Sequence, residues 1–176
     1  MNLLQDCFDC ECSIGFNSLG AFSSVNHLHL HIMYPSEIDH EDRGHPLMGG
    51  RIHFPIAYAS IEKCITRNYR GNKCQIDELH WSDPCFSFST VADYGHQALA
   101  TAISTFVRYL HECRVPHNVL FLREDGNVRS IVIPRQHQDK FDKEKAGFSA
   151  VLGEISGMLI ARSTHHFHNF EEKDIT

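Results

Sequence analysis

"SSVNHLHLHIMYP", residues 23–35, places a histidine at every second position inside an otherwise apolar run. The alternation covers residues 24–34, and a period of two is that of a β-strand, whose side chains point to opposite faces in turn. We therefore predict a strand over 24–34 with two unlike faces. One face would carry the histidines, His27, His29 and His31. The other would carry the aliphatic residues Leu28, Leu30 and Ile32.

Three explanations of the alternating histidines remain open. The first is a polar strand face that is filled by histidine only by chance. Three histidines in strict alternation make a chance arrangement improbable. The second is a zinc site, because HxH pairs on strands can ligate zinc. Same-face positions lie about 7 Å apart along a strand, so three of them span too much for all the rings to reach one ion easily. The third is nucleophilic catalysis.

Nucleophilic catalysis on phosphorus explains the pattern best. An imidazole nitrogen can attack a phosphate ester or anhydride, and the covalent phosphoramidate is then passed to an acceptor. The attacking ring must be neutral, and an acceptor on its other nitrogen fixes the tautomer. Donors around the non-bridging oxygens supply much of the rate. A strand that presents one histidine for attack and two neighbours to orient and donate meets these needs.

The segment before the histidines, "GFNSLGAFSS" (residues 15–24), is rich in Gly, Ser and Asn. This composition predicts a loop whose backbone can approach a ligand closely. Its hydroxyl and backbone N–H groups are suitable donors for a phosphate.

Composition and charge narrow the classes of function. The chain has 176 residues, a net charge of -6 and no block rich in Lys or Arg, which argues against nucleic acid or an anionic membrane as partner. The apolar runs are too short to span a bilayer, and the start lacks the profile of a secretory signal. Seven cysteines then fit reduced thiols in a cytoplasmic protein. Cys7, Cys10 and Cys12 could ligate zinc, but without a second CxxC we favour free thiols.

The rest of the chain predicts strands and one long helix, hence the α+β class. Helical spacing predicts a helix from Asp93 to Cys113, capped by Thr90 or Asp93. Period-two phenylalanines predict a strand at 85–91, and Asp125-Gly126 predicts a hairpin between two apolar runs. Three segments are less regular: a short helix near Tyr58, Ile61 and Ile65, a loop at 35–53, and 150–162, of helical length but weakened by glycine.

"GFNSLGAFSSVNHLHLH" (residues 15–31) closely resembles the signature of the GDP-hexose phosphorylases, a branch of the histidine-triad superfamily. Plant members usually end this motif in glutamine, so His31 makes the chain resemble the animal type, which acts on GDP-D-glucose. "FSFSTVADYGHQALATAISTFVRYLHECRVPHNVLFLRE" (86–124) and "VLGEISGMLIARS" (151–163) are more loosely similar to the family.

The resemblance implies a role for each site residue. His29 would be the nucleophile, His31 would donate to a phosphate or bridging oxygen, and His27 would orient the site. Ser24 and Asn17 match residues that contact phosphate in related enzymes, and their neighbour Ser23 joins them as a candidate.

The implied reaction begins with attack on the phosphorus next to guanosine, and hexose 1-phosphate leaves. Inorganic phosphate then takes the GMP group as GDP. The partners are thus GDP-hexose and phosphate, without metal or cofactor. Two alternatives remain: a histidine-triad nucleotide hydrolase, or an inactive nucleotide-binding or interaction module.

The fold implied by the resemblance is a histidine-triad-like antiparallel sheet with packed helices, a single unit over 1–176. It would be a partial pseudo-dimer: the end of a first, catalytic repeat to about residue 75, and a second, degenerate repeat from about 76. The segment "EISGMLIARS" would then be a strand. Several strands that precede the histidines in the family are missing, so we expect a truncated chain whose exposed sheet edge favours self-association.

Overall fold

The computed structural model describes seven stretches of the chain: residues 12–23, 25–33, 54–66, 74–90, 95–124, 127–136 and 151–158. Within them are seven strands: β1 (Ser13–Asn17), β2 (His31–Met33), β3 (Ile61–Thr66), β4 (Cys74–Leu79), β5 (Cys85–Thr90), β6 (His117–Glu124) and β7 (Asn127–Pro134). The helical elements are a 3-10 turn (Pro55–Tyr58), α1 (His96–Glu112) and α2 (Leu152–Ile155).

All seven strands belong to one sheet in the order β2-β1-β6-β7-β5-β4-β3, and each neighbouring pair is antiparallel. An antiparallel sheet with few helices is compatible with the predicted α+β class. The pseudo-dimer, with its boundary near residue 75, stays a prediction. No helix in the described stretches has both the length and the apolar character needed to cross a bilayer.

The sheet has a hydrophobic core on each face. Helix α1 covers one face with side chains three or four residues apart, as the apolar spacing predicts: Ala98, Leu99, Ala102, Ile103 and Leu110. The other face packs against the 3-10 turn and α2 through Leu120, Ile131, Ile133, Ile56 and Leu152. The strands at the centre of the sheet are therefore buried on both sides.

The predicted helix is confirmed as α1, but its predicted caps are not. The helix begins after Gly95, which has no side chain to cap it, and Thr90 lies in β5. Asp93 lies outside the described residues. The strand predicted at 85–91 is confirmed as β5, and the predicted hairpin as the β6–β7 pair, whose register reaches Glu124 opposite Asn127.

The short helix predicted near residues 58–65 is wrong beyond Tyr58. That residue ends the 3-10 turn, while Ile61 and Ile65 lie in β3. In the described sheet β3 is an edge strand that pairs only with β4, through an irregular register, and its isoleucines are exposed. An exposed edge strand needs no alternation of polar and apolar side chains, so its sequence carried no clear period. The loop predicted at 35–53 lies outside the described residues.

Helix α2 replaces the strand that the resemblance implied at the start of "EISGMLIARS". Only one helical turn forms, and distant groups hold it: Trp81 Nε1 donates to Ile155 O (2.8 Å) and Ile56 N donates to Ser156 O (3.1 Å). Gly157 follows with φ 97, the left-handed conformation that commonly ends a helix. The residues after Met158 lie outside the described part of the chain.

Strand β1 corrects the first part of the loop predicted over 15–24, because Gly15 pairs with β2 and β6 and the next two residues pair with β6; residues 18–23 form a loop as predicted. The glycine has a packing role here. A Cβ built at Gly15 would collide with the side chain of Leu152 in α2. Gly15 therefore lets α2 lie against the sheet, which is a different kind of close approach from the ligand contact that the composition predicted.

The Gly15→Ala variant is expected to lose about 1–3 kcal/mol of unfolding free energy, because a methyl group forces Leu152 out of a packed position. Trp81 is the only tryptophan, and its bond to α2 makes its emission report the displacement as a red shift. Urea unfolding followed by tryptophan fluorescence measures both effects.

Gly153→Ala is the matched control. A Cβ there meets nothing closer than Met158 O at 4.0 Å, and alanine favours a helix by up to about 1 kcal/mol over glycine. Equal stabilities for the two variants would contradict the packing role of Gly15.

Candidate functional site

The histidine segment is less regular than the strand predicted over 24–34. Only His31–Met33 pairs with β1, residues 25–27 bend, and residues 28–30 have no regular structure. The prediction is therefore wrong for 25–30, while Ser24 and Tyr34 lie outside the described residues. The apolar alternation did not set the length of the strand, because Leu28 and Leu30 are exposed at its margin and gain little from pairing.

The two faces of the segment nevertheless separate as predicted. Leu28 and Leu30 line an apolar cavity of about 550 Å³ between α1 and the sheet, together with Ile14 and Phe16 of β1. The histidines, which alternate with these leucines, have their rings together on the opposite face. Gly15 pairs with His31, so the same register continued by two residues would bring Asn17 level with His29.

The three histidine rings lie side by side. The ring centroids of His27 and His29 are 6.2 Å apart, and those of His29 and His31 are 5.0 Å apart, both edge to face. The outer two histidines are exposed, and the middle one is half-buried. The predicted nucleophile is therefore the most enclosed of the three.

The hydrogen bond of His29 fixes its tautomer. Its Nδ1 lies 3.3 Å from the main-chain carbonyl oxygen of His27. A carbonyl oxygen can only accept, so in the neutral ring Nδ1 carries the proton and the lone pair is on Nε2. Within the described part of the chain Nε2 has no hydrogen-bond partner, and solvent does not reach it. The main-chain carbonyl of His27 thus orients the His29 ring.

The loop between β1 and the histidines is tied to the start of β6. Ser18 N donates to His117 O (2.9 Å), and His117 N donates to Ser18 Oγ (2.7 Å). A turn follows in which Ala21 N donates to Ser18 O (3.0 Å) and Gly20 adopts φ 82. A positive φ at the third turn position favours glycine. The loop is therefore a fixed structure beside the histidines.

A shallow recess of about 510 Å³ opens where this loop meets the histidine segment, bordered by Leu19, Ser23, Val25, Asn26 and His27. Ser23 borders the recess, but its hydroxyl donates to Val25 O (2.6 Å), so its proton is engaged in the unliganded chain. Ser24, the other predicted phosphate-binding serine, lies outside the described residues.

Asn17 is buried and belongs to a polar network that sequence reasoning missed. Asn118 Nδ2 donates to Asn17 Oδ1 (2.5 Å) and to Ala21 O (3.4 Å), and Arg135 Nη1 donates to Asn118 Oδ1 (3.3 Å). The available signal was a polar "HN" pair opening an otherwise apolar strand, "HNVLFL". We call these three residues, Asn17, Asn118 and Arg135, the amide network.

His117 is a buried, neutral histidine beside the loop. Its Nδ1 lies 3.0 Å from Val115 O, and its ring is 6.1 Å from that of Phe16. Burial lowers the pKa of His117 below its ordinary value, because a charged ring would lose its hydration; the contact with the Val115 carbonyl opposes this. Its Nε2 is enclosed and finds no partner in the described stretches.

Acidification should destabilise the fold through His117. The pKa in the folded state lies below the unfolded value of about 6.5, so the unfolded chain takes up the proton first as the pH falls. We expect the unfolding free energy to drop below pH 6.5 by at most about 1.4 kcal/mol per pH unit from this residue. Urea unfolding at pH 7.5, 6.5 and 5.5 measures the slope.

The slope should be smaller in His117→Phe, which keeps an aromatic ring and removes the titration. The exposed His80 provides the control, since His80→Ala should leave the slope as it is in the parent chain. An unchanged slope in His117→Phe would contradict the assignment.

In the described stretches no three His, Cys, Asp or Glu side chains, the neighbouring histidine rings included, are arranged to hold a metal ion. Of the cysteines at positions 7, 10 and 12, only Cys12 is described, and it is buried without a disulfide.

Comparisons with known proteins point to one family. The model of the family described as "GDPGP1-like, C-terminal domain" matches residues 55–176, which excludes the histidine segment. GDP-D-glucose phosphorylase 1 from Bos taurus is 28% identical over 171 residues, covering 90% of this chain. The Xenopus laevis protein of the same name is 27% identical over 174 residues, covering 92%. GDP-L-galactose phosphorylase 2 from Arabidopsis thaliana is 27% identical over 147 residues, covering 84%.

The relatives are longer than this chain, which spans 39%, 38% and 27% of their respective lengths. A match that covers 90% of 176 residues leaves only about 18 residues out, so the bovine match has to span positions 27–31. No solved structure matches the chain.

Proposed function

The chain belongs to the family of GDPGP1-like C-terminal domains, and from that premise we propose that it takes part in phosphorolysis of a GDP-hexose, with His29 as the nucleophile. GDP-D-glucose is the proposed substrate, because two of the similar proteins are named GDP-D-glucose phosphorylase 1 and because His31 ends the motif. The products are GDP and hexose 1-phosphate.

The bond between His29 Nδ1 and the His27 carbonyl is the observation that carries this proposal. A nucleophilic imidazole needs one protonated nitrogen held by an acceptor and a free lone pair on the other. The unpartnered Nε2 meets the second need. Because solvent does not reach this nitrogen, the group that covers it has to move before the phosphate can approach.

The reaction proceeds in two displacements. His29 Nε2 attacks the phosphorus next to guanosine, a P–N bond forms, and the P–O bond to hexose 1-phosphate breaks with its electron pair on the leaving oxygen. An oxygen of hydrogen phosphate then attacks the same phosphorus. The P–N bond breaks, GDP leaves, the proton of the attacking phosphate passes to solvent, and the imidazole is neutral again.

Donors near His29 would stabilise the charge on the non-bridging oxygens. The His31 ring lies against His29 and is exposed, so it can reach a phosphate oxygen. Asn17 lies on the same face at the end of β1 and supplies an amide.

The test is incubation of the purified chain with GDP-glucose, with and without inorganic phosphate, followed by intact mass and product analysis. We expect a GMP adduct on His29 without phosphate, and GDP with glucose 1-phosphate when phosphate is added. GMP as the main product in phosphate would support the hydrolase alternative. Absence of any adduct would support the inactive nucleotide-binding module.

Two further proposals concern the whole molecule. We propose a cytoplasmic location, from the reduced thiols that the sequence predicts. We also propose self-association through β2, which forms one edge of the described sheet and exposes Ile32. Sedimentation equilibrium would refute the second proposal if the chain stays monomeric at high concentration.

A further inference from the structure

We propose that Arg135 and Asn118 are positioning residues that hold the Asn17 side chain with its NH2 group free to donate to a phosphate oxygen. This inference rests on the proposed function, which makes a phosphate group the ligand of this face. In this proposal neither Arg135 nor Asn118 contacts the substrate, and both act through Asn17.

The first step is the contact between Arg135 and Asn118. A guanidinium group has only donors, whatever its orientation. Arg135 Nη1 lies 3.3 Å from one end of the Asn118 amide, so that end must be the oxygen. Arginine stays charged in proteins at any ordinary pH, and the polarity of the contact cannot reverse.

The second step follows from the first. With its oxygen towards Arg135, the Asn118 amide turns its nitrogen towards Asn17 Oδ1 and Ala21 O, at 2.5 and 3.4 Å. The Ala21 carbonyl is an acceptor only, which fixes the same orientation independently. Asn118 is fully buried. Turning its amide over would place its oxygen against two acceptor oxygens and its NH2 group against the guanidinium, at a cost of about 1–3 kcal/mol for each unsatisfied group.

The third step concerns Asn17 itself. Its Oδ1 accepts from Asn118, so its Nδ2 points the other way with two protons. Nothing in the described part of the chain accepts those protons. The nitrogen is also not one of the enclosed atoms that lack a partner, so solvent reaches it. Asn17 therefore presents a donor on the histidine face. Arg135 determines the orientation of that donor through Asn118.

Substitutions at Asn118 separate this role from simple packing. In Asn118→Asp the carboxylate accepts from both Arg135 and Asn17, so the Asn17 amide turns over and presents its oxygen to the phosphate. In Asn118→Ala the Asn17 amide rotates freely. We expect GMP affinity to fall about threefold in the alanine variant and at least about tenfold in the aspartate variant.

Stability should follow the opposite order. Aspartate keeps the shape of asparagine and pairs with Arg135, whereas alanine leaves a cavity in a buried site. A residue with a merely structural role would lower GMP affinity and stability in the same order. If Asn118→Ala does not fold, Arg135→Met and Arg135→Lys take its place: the methionine variant should bind GMP less tightly, and lysine, which restores a donor, should recover most of the affinity.

The added charge of aspartate could repel GMP on its own, and a double-mutant cycle removes that ambiguity. In an Asn17→Ala background, Asn118→Asp should change GMP affinity less than about twofold, because the amide through which it acts is gone. A tenfold loss that persists in this background would overturn the proposal.

NMR provides the direct readout. The side-chain NH2 signals of Asn17 are assigned by their loss in Asn17→Ala, and inorganic phosphate or GMP is titrated into the full chain. We expect these signals to shift in the parent chain and not in Asn118→Asp. If neither anion moves them in the parent chain, the inference is wrong. The proposed function is judged separately by the GMP adduct on His29, so the two ideas fail on different measurements.

Discussion

In the His29→Ala variant we expect the GMP adduct to disappear and the turnover of GDP-glucose to fall by about 10³-fold or more. The substitution removes the ring whose Nδ1 contacts the His27 carbonyl and whose Nε2 has no partner among the described residues. Folding should be little affected, because the residue is half-buried in a segment without regular structure. Intact mass spectrometry after incubation with GDP-glucose, together with product analysis, measures the loss.

His80→Ala is the matched control for this prediction. The side chain of that histidine is exposed and its ring lies 3.9 Å from Glu62, so its loss should leave adduct and turnover unchanged. An adduct of the same mass in His29→Ala would show that another residue is the nucleophile, and peptide mapping would locate it.

The largest effect on stability is expected for Leu120→Ala, at about 2–5 kcal/mol of unfolding free energy. Leu120 lies in β6 between Gly15 of β1 and Ile131 of β7, and it is completely buried. Truncation leaves a cavity at the strand that connects the histidine edge to the rest of the sheet. Since native domains are stable by only about 5–15 kcal/mol, urea unfolding should show a large shift of the midpoint.

Leu28→Ala makes the same chemical change on an exposed side chain, 79% accessible. It should cost less than about 1 kcal/mol, since little apolar surface leaves the core. Comparable losses in the two leucine variants would mean that β6 is not the centre of the core.

The sequence predicted which side chains of the histidine segment share a face better than it predicted the conformation of the segment. Alternation assigned His27, His29 and His31 to one face and the leucines to the other, and that holds even where no ladder forms. Successive side chains point to opposite sides wherever the backbone is extended, whether or not it pairs with another strand. The length of a strand depends on its partner, and the described pairing of β2 with β1 ends where His31 lies opposite Gly15.

Elements whose positions depend on distant contacts were not predictable. Strand β1 contains Gly15 and Asn17, which are poor strand formers, and its place is set by Leu152 and by Asn118, each at least 100 positions away. Helix α2 likewise depends on a bond from Trp81. Local propensity carries no information about such partners, so tertiary context decides.

The same reason explains why Asn118 and Arg135 were missed as parts of the site. Sequence reasoning looks for groups that could touch a substrate, and both residues act through another side chain. Only the register of β6 between β1 and β7 brings their polar ends together beside Asn17.

The acceptor that selects the tautomer of His29 belongs to the peptide bond after His27. Every amino acid has that carbonyl, so systematic side-chain replacement at position 27 would leave it intact and would report position 27 as tolerant. Its contribution becomes measurable by backbone chemistry: an ester in place of the 27–28 amide, introduced by semisynthesis, gives a weaker acceptor without altering any side chain.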